Sequence, residues 1–298
     1  MMNSSMKPEW VRAKAPLGPT YARLKELMKQ YSLHTVCEEA HCPNVGDCWG
    51  GGTATFMIMG DICTRACRFC NVKSGKPNGA LDSDEPANVA RAVKDLGLKY
   101  VVLTSVDRDD LTDGGASHFA KTINKLKTVV PDVCVEALIP DFGGSLTGVE
   151  TVVHACPDVI GHNVETTEPL TTIVRDPRAS YRQSLRVLEQ VKQLDRRVLT
   201  KSSLMLGLGE QEEDVFRTLR DLRAVGTDFL TLGQYLRASP RNLPVMEYVT
   251  PERFSHYRER AERLGFLHVA SGPLVRSSYR AGEYFVHGLV KSNPQATL

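Results

Sequence analysis

Apolar residues along this chain gather in short runs of β-forming composition, separated by stretches where they recur at helical spacing. The runs are Ala54–Gly60, Tyr100–Val106, Val133–Pro140, Val159–Thr166, Val198–Leu208 and Phe229–Leu236, and each predicts a strand. In Glu85–Gly97 the apolar residues Val89, Ala92, Val93 and Leu96 recur at three- and four-residue intervals, and Gly97 stops the helix. Ala116–Val130, Ser180–Leu194, Glu212–Gly226 and Pro251–Gly265 carry the same period, and Ser145–Ala155 carries it weakly. Six strand-then-helix units predict an α/β fold on a parallel sheet with right-handed crossovers. Six fall short of a closed eight-stranded barrel, and a doubly wound sheet is the structural alternative.

Composition fits a soluble enzyme without choosing among its functions. At 298 residues the chain is long enough for two average domains or one α/β barrel. Hydrophobic content of 42% and charged content of 24% allow a full core. A net charge of +2 gives no electrostatic case for nucleic acid or an anionic membrane. The leader MMNSSMKPEWVRAKAP has no continuous apolar region, and no apolar run approaches a membrane span. A cytoplasmic location is expected, with neither nucleic acid nor membrane as partner.

Cysteine changes the picture. Six of the eight fall in two triplets, Cys37, Cys42, Cys48 (C-x4-C-x5-C) and Cys63, Cys67, Cys70 (C-x3-C-x2-C). Thiols gathered so closely hold a metal or an iron–sulfur cluster, or are joined as disulfides. Three ligands are one short of what a structural zinc or a cubane requires. A cubane on three thiolates keeps one iron open to a substrate or cofactor. Zinc and disulfides are the competing readings, disulfides the weaker because an intracellular thiol cluster more often binds metal.

The second triplet, in ICTRACRFC with Phe69 before the last cysteine, resembles the signature of the radical S-adenosylmethionine (SAM) superfamily. That resemblance implies a partial (β/α)6 TIM-like barrel, whose first strand leads directly into the cysteine loop. It also implies a 4Fe–4S cluster whose open iron is chelated by SAM, which is cleaved to a 5′-deoxyadenosyl radical. The first triplet, in TVCEEAHCPNVGDCW, narrows the resemblance to the lipoyl synthase family. GGTATFMIMGD (51–61), LTSVDRDDLTDGGASHF (103–119), GHNVET (161–166), LMLGLGE (204–210), LTLGQYL (230–236) and ASGPLVRSSYRAGE (270–283) extend it over nearly the whole chain. By this resemblance residues 1–52 are an N-terminal extension with auxiliary-cluster cysteines, 53–265 the barrel, and 266–298 a C-terminal extension with the RSSY motif. The two extensions carry a second, auxiliary and sacrificial 4Fe–4S cluster on Cys37, Cys42, Cys48 and Ser277. Set against this, a Ser-Ser-Tyr turn on its own reads as one that bonds its own backbone.

The resemblance further implies sulfur insertion at C6 and C8 of an octanoyl group on a lipoyl carrier domain, with SAM as co-substrate. Such carriers are the 2-oxoacid dehydrogenase acyltransferase and the glycine cleavage H protein. An electron donor such as flavodoxin or ferredoxin and a cluster-repair carrier are the other expected partners. Two departures from the family pattern stand out: Glu165-Thr-Thr-Glu-Pro-Leu170, and Asn242 where a histidine is usual. Neither is expected to touch a cluster ligand.

Thr104 and Ser105 end the second predicted strand, where the superfamily often anchors the methionyl amine. Asn163 and Glu165 alternate, so they face one side and are candidates for the ribose and amino acid portions of SAM. Lys201 and Arg175 are candidates for its carboxylate. The run Asp107-Arg108-Asp109-Asp110 reads equally as functional or as a solvent-facing charge run. Gly207 and Gly209 read as a turn, since a lone GxG is weak evidence for a nucleotide. Cys134 and Cys156 are expected in the core, His162 is expected to be structural, and His41 is not expected to be a ligand. Two rival functions use the same cysteines: a zinc-stapled or electron-transfer protein, and methylthiolation of RNA or protein.

Overall fold

In the computed structural model, the described residues are 7–12, 19–39, 42, 44, 45, 48, 54–279, 281 and 282, so His41 and residues 283–298 lie outside them. In chain order the strands are β1 (His34–Thr35), β2 (Thr55–Ile58), β3 (Ile62–Cys63), β4 (Lys73–Ser74), β5 (Tyr100–Ser105), β6 (Cys134–Leu138), β7 (Val159–Gly161), β8 (Leu199–Leu206), β9 (Phe229–Gln234) and β10 (His268–Gly272). The helices are α1 (Pro19–Gln30), α2 (Val36–Glu39), α3 (Glu85–Leu96), α4 (Ala116–Val129), α5 (Leu146–His154), α6 (Thr171–Val174), α7 (Tyr181–Leu194), α8 (Glu212–Ala224) and α9 (Pro251–Arg263). One sheet runs β1-β2-β5-β6-β7-β8-β9-β10, parallel from β2 onward, with β1 antiparallel at its edge. Among the described residues its two ends do not pair with each other, so the barrel is open.

Each of the six predicted strands forms. A seventh parallel strand, β10, follows the last helix and was not anticipated. Its sequence, HVASG, is short and ends in small residues, so it carries little apolar signal. The sheet therefore draws strands from all three segments of the sequence. The weakly periodic helix α5 forms because its N-terminus is well capped: the Ser145 hydroxyl accepts the Gly148 N–H. Gly97 ends α3 in the left-handed region (φ 64°), as the sequence predicts.

Outward residues of β5, Val101 and Leu103, pack with Val89, Val93, Phe119 and Ile123 of α3 and α4 in one fully buried cluster. Alternate residues face the barrel interior. On β6 and β8 these include Leu138, Ser203 and Met205, which line a cavity toward the carboxyl ends of the strands. One tier deeper, the same alternation places Glu136 and Lys201. The Lys201 Nζ lies 2.9 Å from both Glu136 oxygens, and the Tyr100 hydroxyl donates to Glu136 at 2.6 Å. Lys201 and Glu136 are 5% and 1% exposed. Lys201 is thus committed to a carboxylate beneath the cavity.

Removing one member of this pair leaves the other charge buried without a partner. Lys201→Ala is expected to lower apo-protein stability by about 3–5 kcal/mol, and Lys201→Met with Glu136→Leu to recover most of it. Urea unfolding checks both. A loss no larger than that of the exposed control Lys125→Ala would refute the assignment.

Candidate active site

The chain leaves β2 through a tight turn that aims the first cysteine loop across the strand ends. Met59 adopts φ 68°, and its N–H donates to Glu85 at 2.8 Å while its carbonyl accepts from Arg108. β3 and β4 then pair Cys63 with Ser74 and close the base of the loop. Arg65, in the middle of the motif, is 4% exposed and inserts beneath it. Its guanidinium makes bidentate pairs with Asp141 (2.7 and 2.9 Å) and Asp109 (2.7 to 3.2 Å), with Asp107 at 3.4 Å. On the outer side, the Ala66 N–H donates to Asp176, and Arg178 joins Asp176, Asp109 and the Thr64 carbonyl.

Of the two readings of Asp107–Asp110, Asp107 and Arg108 follow the functional one, while Asp109 and Asp110 pair at the site and also reach solvent. Arg108 is 1% exposed and pairs with Asp110, Asp107 lines the cavity, and Asp109 is spent on Arg65. Burial raises the Asp107 carboxyl to about 6, with Arg65 opposing and Asp141 and Asp109 reinforcing that rise.

Cys63, Cys67 and Cys70 share the wall of one cavity of about 340 Å³. Two of the sulfurs accept backbone N–H groups, Cys63 from Arg65 (3.4 Å) and Cys67 from Asp176 (3.3 Å). Burial pushes the Cys63 thiol up to about 11, Cys67 to about 12, and Cys70 upward as well. A metal that takes them as thiolates therefore releases protons on binding. Asn163 and Glu165 line the same cavity and are joined by a 3.0 Å hydrogen bond, with Glu165 at φ 66° and its carboxyl raised by burial.

The two hydroxyls at the end of β5 differ. Thr104 donates to the Leu138 carbonyl, whereas Ser105, also a lining residue, has a buried Oγ with no protein partner among the described residues. An orphaned hydroxyl beside a buried Asn–Glu pair and three thiols fits a polar cofactor next to a cluster. Arg175 and Lys201 are not on the cavity wall. Arg175 donates to Ser184 and the Val164 carbonyl from behind it, leaving its own buried Nε unpartnered. His162 is structural: Nδ1 bonds the Ile139 carbonyl, Nε2 bonds Ser184, and burial lowers it to about 4.

A second cavity of about 370 Å³ adjoins the first and is lined by Cys37, Cys42, Cys48, Ser277 and Arg276. Val36, Thr55, Leu236, Ala238, Arg276, Ser277 and Ser278 belong to both walls. The structure thus brings the first triplet to Ser277, across most of the chain. The tie is Asn44, whose side-chain amide donates to the Leu274 carbonyl. Burial raises the Cys42 thiol, and the adjacent Arg276 guanidinium lowers it. Among the described residues no three His, Cys, Asp or Glu side chains are drawn tightly enough around one point for a single metal ion.

Sequence reasoning missed Arg65, Asn44, Arg276 and Asn242. Asn242 was expected to be remote from the cluster ligands, yet its side-chain amide donates to the Cys70 carbonyl at 2.8 Å. The available signal was the position of Arg65 and Asn44 inside the cysteine motifs. Asn242 had none. Cys134 is half-buried and Cys156 exposed, so Cys156 is not a core residue. It follows α5 at φ 56°, in a turn rather than on the apolar face.

Comparison with known proteins agrees with these features. A model of the radical SAM superfamily matches residues 57–222, and one of the N-terminal domain of lipoyl synthase matches residues 3–42. The chain is 58% identical over 286 residues to a lipoyl synthase of Anaeromyxobacter dehalogenans, covering 96% of this chain and 97% of that one. It is 58% identical over 280 residues to one from Thermus thermophilus, covering 94% and 87%. A mitochondrial lipoyl synthase of Culex quinquefasciatus is 53% identical over 294 residues, covering 97% and 77%. Among solved structures, methylornithine synthase superposes with a TM-score of 0.54 at 13% identity, covering 88% of this chain and 71% of that one. That likeness is one of fold.

Exposure and burial set an order of thiol reactivity in the apo-protein. At about pH 8, alkylation is expected to reach Cys156 first, with Cys63 and Cys67 slow because few of their thiols are ionised. Mass spectrometry of timed samples reads the order. Cys63 labelling ahead of Cys156 would overturn it.

Proposed function

The chain belongs to the lipoyl synthase family of the radical SAM superfamily, and from this we propose that it inserts sulfur at C6 and C8 of an octanoyl group. The octanoyl chain is held by an amide to a lysine of a carrier domain, such as a 2-oxoacid dehydrogenase acyltransferase or the glycine cleavage H protein. As a radical SAM enzyme the protein uses SAM and a 4Fe–4S cluster. When bound, these supply a 5′-deoxyadenosyl radical, an oxidant able to take hydrogen from unactivated carbons that offer a general base no purchase.

In this reading Cys63, Cys67 and Cys70 hold the cluster that meets SAM. The Ser105 hydroxyl and the Asn163–Glu165 pair receive the polar groups of SAM. Arg65 keeps the thiols in place from below. Cys37, Cys42, Cys48 and Ser277 hold a second 4Fe–4S cluster, which is the sulfur donor and is rebuilt after turnover by a repair carrier. The half-buried Arg276 beside Cys42 offsets the negative charge of that thiolate set. A hard serine oxygen is more readily protonated and displaced than a thiolate, which suits a ligand that must let go. A flavodoxin or ferredoxin supplies electrons. No helix among the described residues is long and apolar enough to cross a membrane.

The observation that carries this reading is the shared wall of the two cavities, with one cysteine triplet on each and Ser277 between them. An octanoyl chain threaded along that wall lies within reach of both sites.

Replacing Cys63, Cys67 or Cys70 by alanine is expected to abolish deoxyadenosine formation and leave the iron of the other site in place. Replacing Cys37, Cys42 or Cys48 should leave SAM cleavage and stop sulfur insertion. Equal loss of deoxyadenosine in both sets, with the remaining iron intact, would sink the two-site division.

Ser277 is tested in single turnover with an octanoyl-lysine peptide, following deoxyadenosine, monothiolated intermediate and lipoyl product by mass spectrometry. Ser277→Ala is expected to cleave SAM and form little product. Ser277→Cys should take up a full complement of iron and insert sulfur poorly. Ser278→Ala should be far milder. Wild-type yield from Ser277→Ala at matched iron content would remove the serine from the ligand set.

A further inference from the structure

The segment Leu236–Leu243 runs between the two cavities, with Leu236 and Ala238 on both walls and Arg237 on the second. At its end Asn242 is 7% exposed, and its side chain makes four hydrogen bonds. Its Nδ2 donates to the carbonyls of Cys70 (2.8 Å) and Arg68 (3.3 Å), and its Oδ1 accepts the N–H (3.0 Å) and hydroxyl (2.8 Å) of Ser239. Two carbonyls on one side and a backbone N–H on the other permit one orientation of the amide and use its full capacity. The same loop grips the cysteine turn a second time, through Leu243 N–H to the Arg68 carbonyl at 3.2 Å. The opposite side of that turn is held by Arg68 N–H on the Val174 carbonyl at 2.9 Å.

Resting on the function proposed above, we infer that Asn242 is a positioning residue that sets the place of Cys70, the third thiol of the SAM-binding site. Cys63 and Cys67 are fixed from below and outside by the Arg65 and Asp176 contacts. Cys70 lies past both, at the exit of the loop, and Asn242 is the side chain that bonds its carbonyl. The loop carrying Asn242 also borders the second cavity, so it ties the position of one thiol set to the wall shared with the other.

The test uses the full chain, reconstituted anaerobically with iron and sulfide and reduced. Only the SAM-binding cluster changes its electron paramagnetic resonance signal when SAM is added, and an iron chelator then times its loss. Asn242→Asp keeps the shape and the acceptor oxygen but turns an oxygen toward two carbonyls. Its SAM-responsive signal is expected to decay about tenfold faster than wild type, with KM for SAM raised by a similar factor. Asn242→Ala should fall between the two. Ser239→Ala, which leaves the bond to Cys70, should stay close to wild type. The signal that does not respond to SAM should decay at the wild-type rate throughout. Equal decay of the responsive signal in Asn242→Asp and wild type would overturn the inference. So would parallel acceleration of both signals with a fallen melting temperature, which marks general loosening. A wild-type chain with no SAM-responsive signal at all would instead strike the function reading beneath it.

Discussion

The buried guanidinium of Arg65 is the constraint on which the site depends. It sits inside the cysteine motif, two residues after Cys63 and two before Cys67, and answers carboxylates beyond two different strands. Asp109 follows β5 and Asp141 follows β6, so one side chain nails a flexible loop to the rim of the sheet. Charge-assisted bidentate pairs are the strong and directional kind of hydrogen bond, and removing one partner leaves a buried charge uncompensated. The loop therefore has little freedom to spread its thiols, even though their burial disfavours the thiolate form.

The open barrel creates the second half of the arrangement. Because β10 and β1 do not meet, the segment after β10 folds back over the strand ends and carries Arg276 and Ser277 to the cavity wall. Gly233 on β9 permits this approach, since a Cβ there would run into the Val275 carbonyl. Asn44 holds the first cysteine triplet against the same segment through the Leu274 carbonyl. A closed eight-stranded barrel would leave no gap for chain from both ends to share one wall.

Polar chemistry within the barrel is sorted by depth. Near the carboxyl ends, Ser105 and the Asn163–Glu165 pair line the cavity. One tier below, Glu136, Lys201 and Tyr100 satisfy one another and stay out of it. Strand alternation places Glu136 and Lys201 directly beneath Leu138 and Ser203. What separates the tiers is whether the neighbouring strand offers an opposite charge at that level.

The sequence by itself determined the element types, the α/β class, the two cysteine triplets and the family. These rest on local periodicity and on spacings within a few residues, which a linear string preserves. Strand β10 escaped because His268–Gly272 offers one buried branched apolar residue, Val269, among small or half-exposed ones. Tertiary structure alone decided that Lys201 serves Glu136, that Ser105 rather than Thr104 has a hydroxyl to offer, and that the Asp107–Asp110 run is a clamp. It alone showed Asn44 and Asn242 as ties. Those two hydrogen bonds join residues 230 and 172 apart in the chain. Their partners are backbone carbonyls, which every residue possesses, so no side-chain pattern announces them.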